Sequence, residues 1–208
     1  MKQEQQKQRA MKILSRLKKQ YPNAGIALKY KTPVQLLVAV MLSAQATDEQ
    51  VNKTTQTLFQ KYKTVSDFAC ADPKKFEQEI SSVNFFRNKA RHIIQTTQIL
   101  NTQHKGKIPQ SIDELVALPG VGRKTANVVL WHLYGESQGI VVDTHVKRVS
   151  CNLGFTKNTD PEKIEQNLMA LYPQKEWGMI GHYFQAYGRT AMPARGKPKH
   201  KDCLQGLY

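Results

Sequence analysis

The chain has 208 residues, with 31 Lys and Arg against 16 Asp and Glu for a formal net charge of +15, which sizes it for one compact domain or two small lobes. So large a basic excess repels itself in the folded state, and nucleic acid is the commonest partner that offsets it, since each neutralised phosphate releases condensed counterions. No apolar run reaches bilayer length, residues 1–20 lack the apolar stretch of an export signal, and Cys70, Cys151 and Cys203 are too far apart for a disulfide framework. These features predict a cytoplasmic protein with no membrane association, and the six histidines show no metal-ligand spacing, so no metal is expected.

In chain order, residues 4–20 read as a helix that stops at Tyr21-Pro22. Thr32-Pro33-Val34-Gln35 combines the pattern of a capping box with proline in the first turn, where its missing N–H costs nothing. Thr47-Asp48-Glu49-Gln50 and Ser111-Ile112-Asp113-Glu114 predict two more helix starts with the same cap chemistry. Asp72-Pro73 and Asp160-Pro161 each read as an N-cap followed by proline. Stops stand at 106–109 and at Tyr134-Gly135. The only strand-like run, 139–142, is short and solitary, so the expected class is all-α. Polar residues 136–139 break the helical periodicity and predict two lobes, 24–135 and 1–23 with 136–208, with an active site in the cleft between them.

The strongest local signal is LPGVGRK at 118–124, between a helix begun at Ser111 and an apolar-periodic one carrying Ala126, Val129, Leu130 and Leu133. Gly120 and Gly122 around Val121 permit a tight turn whose backbone N–H groups, with the following helix start at Arg123, Lys124 and Thr125, make a seat for a phosphate. Val121 would pack inward and join the two helices. Such a hairpin grips a DNA backbone without reading sequence. An ordinary helix connection with glycines for steric reasons is the plain alternative.

LPGVGRKTANVVL at 118–130, VDTH at 142–145 and LSAQATD at 42–48 stand in an order that resembles the endonuclease III branch of the helix-hairpin-helix base-excision glycosylases, over roughly residues 10–190. The resemblance implies a two-lobed α-helical fold, a flipped damaged base in double-stranded DNA, and combined glycosylase and AP lyase activity on oxidised pyrimidines. Lys124 falls where the family places its nucleophile. A lysine must be neutral to attack a sugar carbon, and the positive end of a helix dipole, with Arg123 beside it, disfavours the ammonium form. The bland alternative is a solvated or phosphate-contacting lysine. Asp143 matches the catalytic carboxylate, which would stabilise positive charge building on the sugar. It also precedes a helix and can simply cap it. His145 is a supporting residue at most, and otherwise a packed neighbour.

An enzyme that extrudes a stacked base must fill the hole left behind. The resemblance gives this role to Gln45, in a break before the helix start at Thr47, where a surface glutamine ending a helix is the alternative. A second wedge lies in NFFRNKA at 84–90, where the match makes Phe85 insert and Phe86 buttress it. The alternative puts both phenylalanines in the core. Adenine-mismatch relatives carry a small residue at the Lys124 position and an acid ahead of the glutamine motif, whereas Val38-Ala39-Val40-Met41 has none. Lysine-bearing 8-oxoguanine enzymes do not usually carry LSAQATD, yet 8-oxoguanine, a bare abasic site, or non-catalytic DNA binding stay open as alternatives. Most relatives end in four cysteines around an iron–sulfur cluster. Here the corresponding tail, 191–203, retains only Cys203, so no cofactor and no iron–sulfur cluster is expected. Arg195, Lys197 and Lys199 keep that tail basic and are candidate phosphate contacts, or else a solvated end. A monomer is expected.

Overall fold

The computed structural model describes residues 2–195 and 202–207, and these form eleven α-helices and one 3₁₀ turn, with no strand among the described residues. The chain divides into two compact units, Ala27–Tyr134 and Met1–Ile26 with Gly135–Tyr208.

In the first unit, helix α2 (Pro33–Ser43) is the core element: every residue from Val34 to Leu42 is buried, as expected of a helix apolar on all sides. Around it pack α3 (Asp48–Lys61), α6 (Phe86–Gln103) and α8 (Arg123–Tyr134). Two short helices, α4 (Val65–Ala69) and α5 (Pro73–Glu79), lie on α6. Tyr62 stacks on Phe68 with centroids 5.1 Å apart, and Phe76 meets both rings edge-on. Helix α7 (Ile112–Val116) then pairs with α8.

Cap chemistry decides most starts. Thr32, Thr47 and Asp72 each accept a hydrogen bond from the backbone three residues on. Two details differ from the sequence pattern. The Gln35 side chain does not close a capping box on Thr32 but reaches one residue further, accepting from the Lys31 N–H at 3.0 Å, while its amide donates to the Phe59 and Tyr62 carbonyls. Ser111 begins α7 without a side-chain cap bond. A complete capping box does occur at Thr64 and Asp67, and the Asp67 carboxylate accepts from the Lys63 and Thr64 backbone N–H groups, which lowers its pKa.

The second unit gathers α1 (Lys2–Gln20), α9 (Thr144–Asn152), α10 (Pro161–Met169), the 3₁₀ turn Gln174–Glu176 and α11 (Trp177–Thr190). Helix α1 buries Ala10, Ile13, Leu14 and Leu17, spaced on one stripe, against a core that includes Val149, Ile164, Leu168, Phe184 and Tyr187. The apolar run 139–142 forms no ladder. It lies against α11, where a Cβ on Gly181 would stand 3.0 Å from the Val141 carbonyl oxygen. About two turns further on, Gly188 admits α9 equally closely, with Val149, His145 and Arg148 between 3.1 and 3.3 Å from an added Cβ.

The C-terminal segment is tied into this unit by its own residues. Leu204 is fully buried, with Met192, Cys203 and Leu207 packed on the same core. Tyr187 donates to Asp202 Oδ1 at 2.6 Å, and Arg9 and Arg16 donate to the backbone carbonyls of Leu207, Cys203 and Gln205. No described helix is long and apolar enough to cross a membrane.

Candidate active site

The hairpin lies between α7 and α8. Leu118 and Val121 are buried and the Val121 N–H closes a turn onto the Leu118 carbonyl at 3.1 Å, while Thr96 holds the Pro119 carbonyl at 2.8 Å. The two glycines have different jobs. Gly120 has φ +74°, and a Cβ there would stand 2.8 Å from His92. Gly122 has no left-handed strain and nothing within 4 Å of an added Cβ, so the protein itself does not require a glycine there. Its open face is where a ligand can approach the backbone closely. Gly122 accepts the Ala126 N–H at 2.9 Å and so begins α8.

Lys124 is therefore the second residue of a helix entered through a locked turn, and its side chain is exposed. Arg123 beside it is also exposed, and Thr125 is half-buried. A helix N-terminus at this point concentrates positive potential where an anion can reach it.

Two further candidates sit at bends of the same unit. Gln45 follows the end of α2 at φ +55° and Phe85 precedes α6 at φ +59°, both left-handed and both exposed. Phe85 is 61% exposed, which removes it from the core. Phe86 is half-buried, with the Arg87 guanidinium 5.0 Å from its ring centroid.

Asp143 belongs to the second unit. It caps α9 through Oδ1, which accepts the Val146 N–H at 2.8 Å, and its Oδ2 accepts Gln185 Nε2 at 2.9 Å. The capping alternative is thus correct as geometry, and it leaves the carboxylate oriented by two donors. Gln185 projects from the α11 face that carries Gly181 and Gly188, because residues four and seven apart share a helix face. Burial pushes the His182 imidazole pKa down, against the pull of the Asp143 charge. The same holds for His145, where Arg148 and Arg189 add to the lowering. Arg148 Nη2 lies 3.1 Å from His145 Nδ1 and also donates to the Gly188 and Met192 carbonyls. His145 is accordingly a packed neighbour of α11. Arg195 is exposed, whereas Lys197 and Lys199 lie outside the described residues.

Sequence reasoning missed His92, Lys89 and Gln185. Lys89 stands in the 84–90 run with no role of its own assigned there, His92 and Gln185 belong to no spacing pattern, and each is recognisable only by what the fold sets against it.

No group of three or more His, Cys, Asp and Glu suited to a metal occurs among the described residues. An iron–sulfur cluster of the four-thiolate type does not fit the cysteines present. The sequence has three, Cys70 is exposed and in the other unit from the remaining two, and burial raises the Cys203 thiol pKa, favouring the protonated form. Cys151 is occupied by the Asn158 carbonyl at 3.6 Å.

Residues 38–174 match the model of the HhH-GPD superfamily base excision DNA repair proteins. Endonuclease III of Synechocystis sp. is 50% identical over 197 residues, 95% of this chain and 90% of the relative. A solved trapped covalent endonuclease III–DNA intermediate with an estranged adenine superposes with a TM-score of 0.85 at 41% identity, covering 92% of this chain and 90% of that one. A non-covalent endonuclease III–DNA complex gives 0.86 at the same identity, covering 92% and 89%. The chain belongs to the HhH-GPD superfamily of base excision DNA repair proteins, as a DNA glycosylase and AP lyase of the endonuclease III type.

Proposed function

We propose that this protein removes oxidised pyrimidines from duplex DNA and then cleaves the strand 3′ to the lesion, with Lys124 as nucleophile and Asp143 as the supporting carboxylate. The observation that carries this reading is the exposed Lys124 in the first turn of α8, directly behind the hairpin locked by Gly120. In the proposed step the lone pair of a neutral Lys124 amine forms a bond to the sugar C1′ as the C1′–base bond breaks. Loss of the amine proton and opening of the sugar give an imine. Removal of a C2′ proton then expels the 3′ phosphate by β-elimination. Positive charge on the sugar grows during base departure, and a carboxylate whose oxygens are fixed by Val146 and Gln185 needs no reorganisation to oppose it.

Gly120, Val121, Gly122, Arg123 and Thr125 form the phosphate seat in this reading, and Gln45 and Phe85 fill the stack. The damaged duplex binds a monomer in the cytoplasm, and neither chemical step calls on a metal or cluster. The likeness to a chain solved as a covalent DNA intermediate supports the imine route. The cysteine set supports a clusterless protein, which iron analysis and visible absorbance check.

Borohydride trapping on duplexes carrying thymine glycol, 8-oxoguanine or an abasic site tests the whole reading. The expected result is a covalent adduct with the oxidised pyrimidine and the abasic site, lost in Lys124→Ala. Trapping that persists in that variant refutes the nucleophile, and trapping confined to the abasic site reduces the activity to a lyase.

A further inference from the structure

We infer that Lys89 and Asn84 are positioning residues that bind the Gln45 and Phe85 bends into one rigid clamp, so that both side chains enter the duplex together; this rests on the reading above that both fill the stack. Two non-glycine residues in left-handed backbone, one of them a phenylalanine, persist only where the surroundings impose that conformation. What imposes it here is a small set of hydrogen bonds reaching across 39 to 47 positions of sequence.

Lys89 touches both bends. Its backbone N–H donates to the Phe85 carbonyl at 3.0 Å, and its buried ammonium donates to the Leu42 and Ala44 carbonyls at 2.7 and 2.6 Å. Those carbonyls end α2, where the helix dipole is negative, so a cation is well placed without a carboxylate partner. Burial lowers the Lys89 pKa, and the two carbonyls accept its hydrogen bonds. Asn84 closes the loop from the other side, its Nδ2 donating to the Gln45 carbonyl at 2.9 Å. Behind them, Gln50 donates to the Ser82 carbonyl, and the Thr54 and Ser82 hydroxyls share a bond of 2.8 Å. The result is one body of bonded backbone with two exposed tips, Gln45 and Phe85. Tips that cannot move independently offer the duplex a single insertion event, whereas separate flexible loops would have to be ordered one after the other.

The test uses the full chain with a duplex lesion flanked by 2-aminopurine, whose fluorescence rises on unstacking, and a single-stranded abasic oligonucleotide as the substrate that needs no extrusion. Asn84→Asp keeps the shape but removes the donor at an exposed position, so folding is spared. Lys89→Met removes the ammonium and keeps the stem. Asn84→Asp is expected to slow the fluorescence rise by about five- to tenfold, the effect of one lost hydrogen bond, and Lys89→Met by more. Borohydride trapping on the single strand should stay within about twofold, because no base has to be extruded from it. Combining Asn84→Asp with Gln45→Ala should add little to either alone, since both disable the same tip. Equal losses on duplex and single strand, or additive effects in the double variant, overturn the clamp. If Gln45→Ala and Phe85→Ala slow extrusion but Asn84→Asp and Lys89→Met do not, the clamp alone fails. If Gln45→Ala and Phe85→Ala change nothing, the stack-filling reading fails and the clamp with it.

Discussion

Alanine at position 120 would place a methyl where the His92 side chain already stands. The backbone there has φ +74°, and the added Cβ would meet His92 Cβ and Nδ1 at 2.8 Å and Cγ at 2.9 Å. The left-handed conformation costs an L-residue about 1–2 kcal/mol, and forcing an extra methyl into filled space about 1–3 kcal/mol. Together, Gly120→Ala should destabilise the protein by about 2–5 kcal/mol, a large part of a typical domain's margin, and lower Tm by roughly 5–15 °C. Gly122→Ala makes the control two residues away: its Cβ meets nothing, so stability should hold within about 0.5 kcal/mol. Affinity for duplex DNA should nevertheless fall, because the methyl stands on the open face of the proposed phosphate seat. Thermal and urea unfolding with salt-controlled DNA titration separate the two. Adding His92→Ala to Gly120→Ala should restore only part of the loss, since the ring contacts go and the Cβ contact stays. A Gly120→Ala protein that melts like the wild type would refute the reasoning, as would a Gly122→Ala protein that unfolds early.

Three further outcomes follow from the second unit. Gln185→Leu removes the donor to Asp143 Oδ2 while the Val146 cap remains; single-turnover base excision should fall about tenfold with DNA affinity unchanged, and an unaltered rate would remove Gln185 from the mechanism. Burial depresses the folded pKa of both His182 and His145 below the unfolded value of about 6.5. Both are neutral in either state above that pH, and the unfolded chain takes up more protons below it. Stability should thus be full above about pH 6.5 and decline as pH falls from there through the depressed folded values. His182→Gln should flatten that decline in a Tm-against-pH series, and an unchanged slope would exclude His182 as its source. Tyr187→Phe deletes the bond to Asp202 that ties down the C-terminal segment; a loss of about 1–2 kcal/mol in urea unfolding is expected, with faster proteolysis near residue 202. Equal protease resistance would show that Leu204 packing suffices.

Where a helix begins was legible at most of the starts whose deciding contact is three residues long, although the equally local box at Thr64 and Asp67 was missed. Thr32, Thr47, Asp72 and Asp160 cap as the local pattern demands, because the donor and acceptor are neighbours in the chain. Ser111 fails as a side-chain cap, and Gln35 turns to Lys31, Phe59 and Tyr62, because a side chain also answers to partners that a short window does not contain. The run 139–142 has the composition of a strand but lies against α11 at Gly181, a contact set by residues some forty positions away.

By itself the sequence determined the all-α class, the family, and Lys124 with Asp143 as the residues to examine, since these rest on short motifs and helix periodicity. Only tertiary structure decided that Phe85 is exposed, that Gly120 and Gly122 differ in kind, and that Gln185 orients Asp143. It also singled out Lys89 as a lysine whose ammonium donates to the carbonyls that end α2. The physical reason is one of range. Periodicity and capping are encoded within a helical turn, whereas burial and left-handed strain at the bends depend on what distant segments bring alongside.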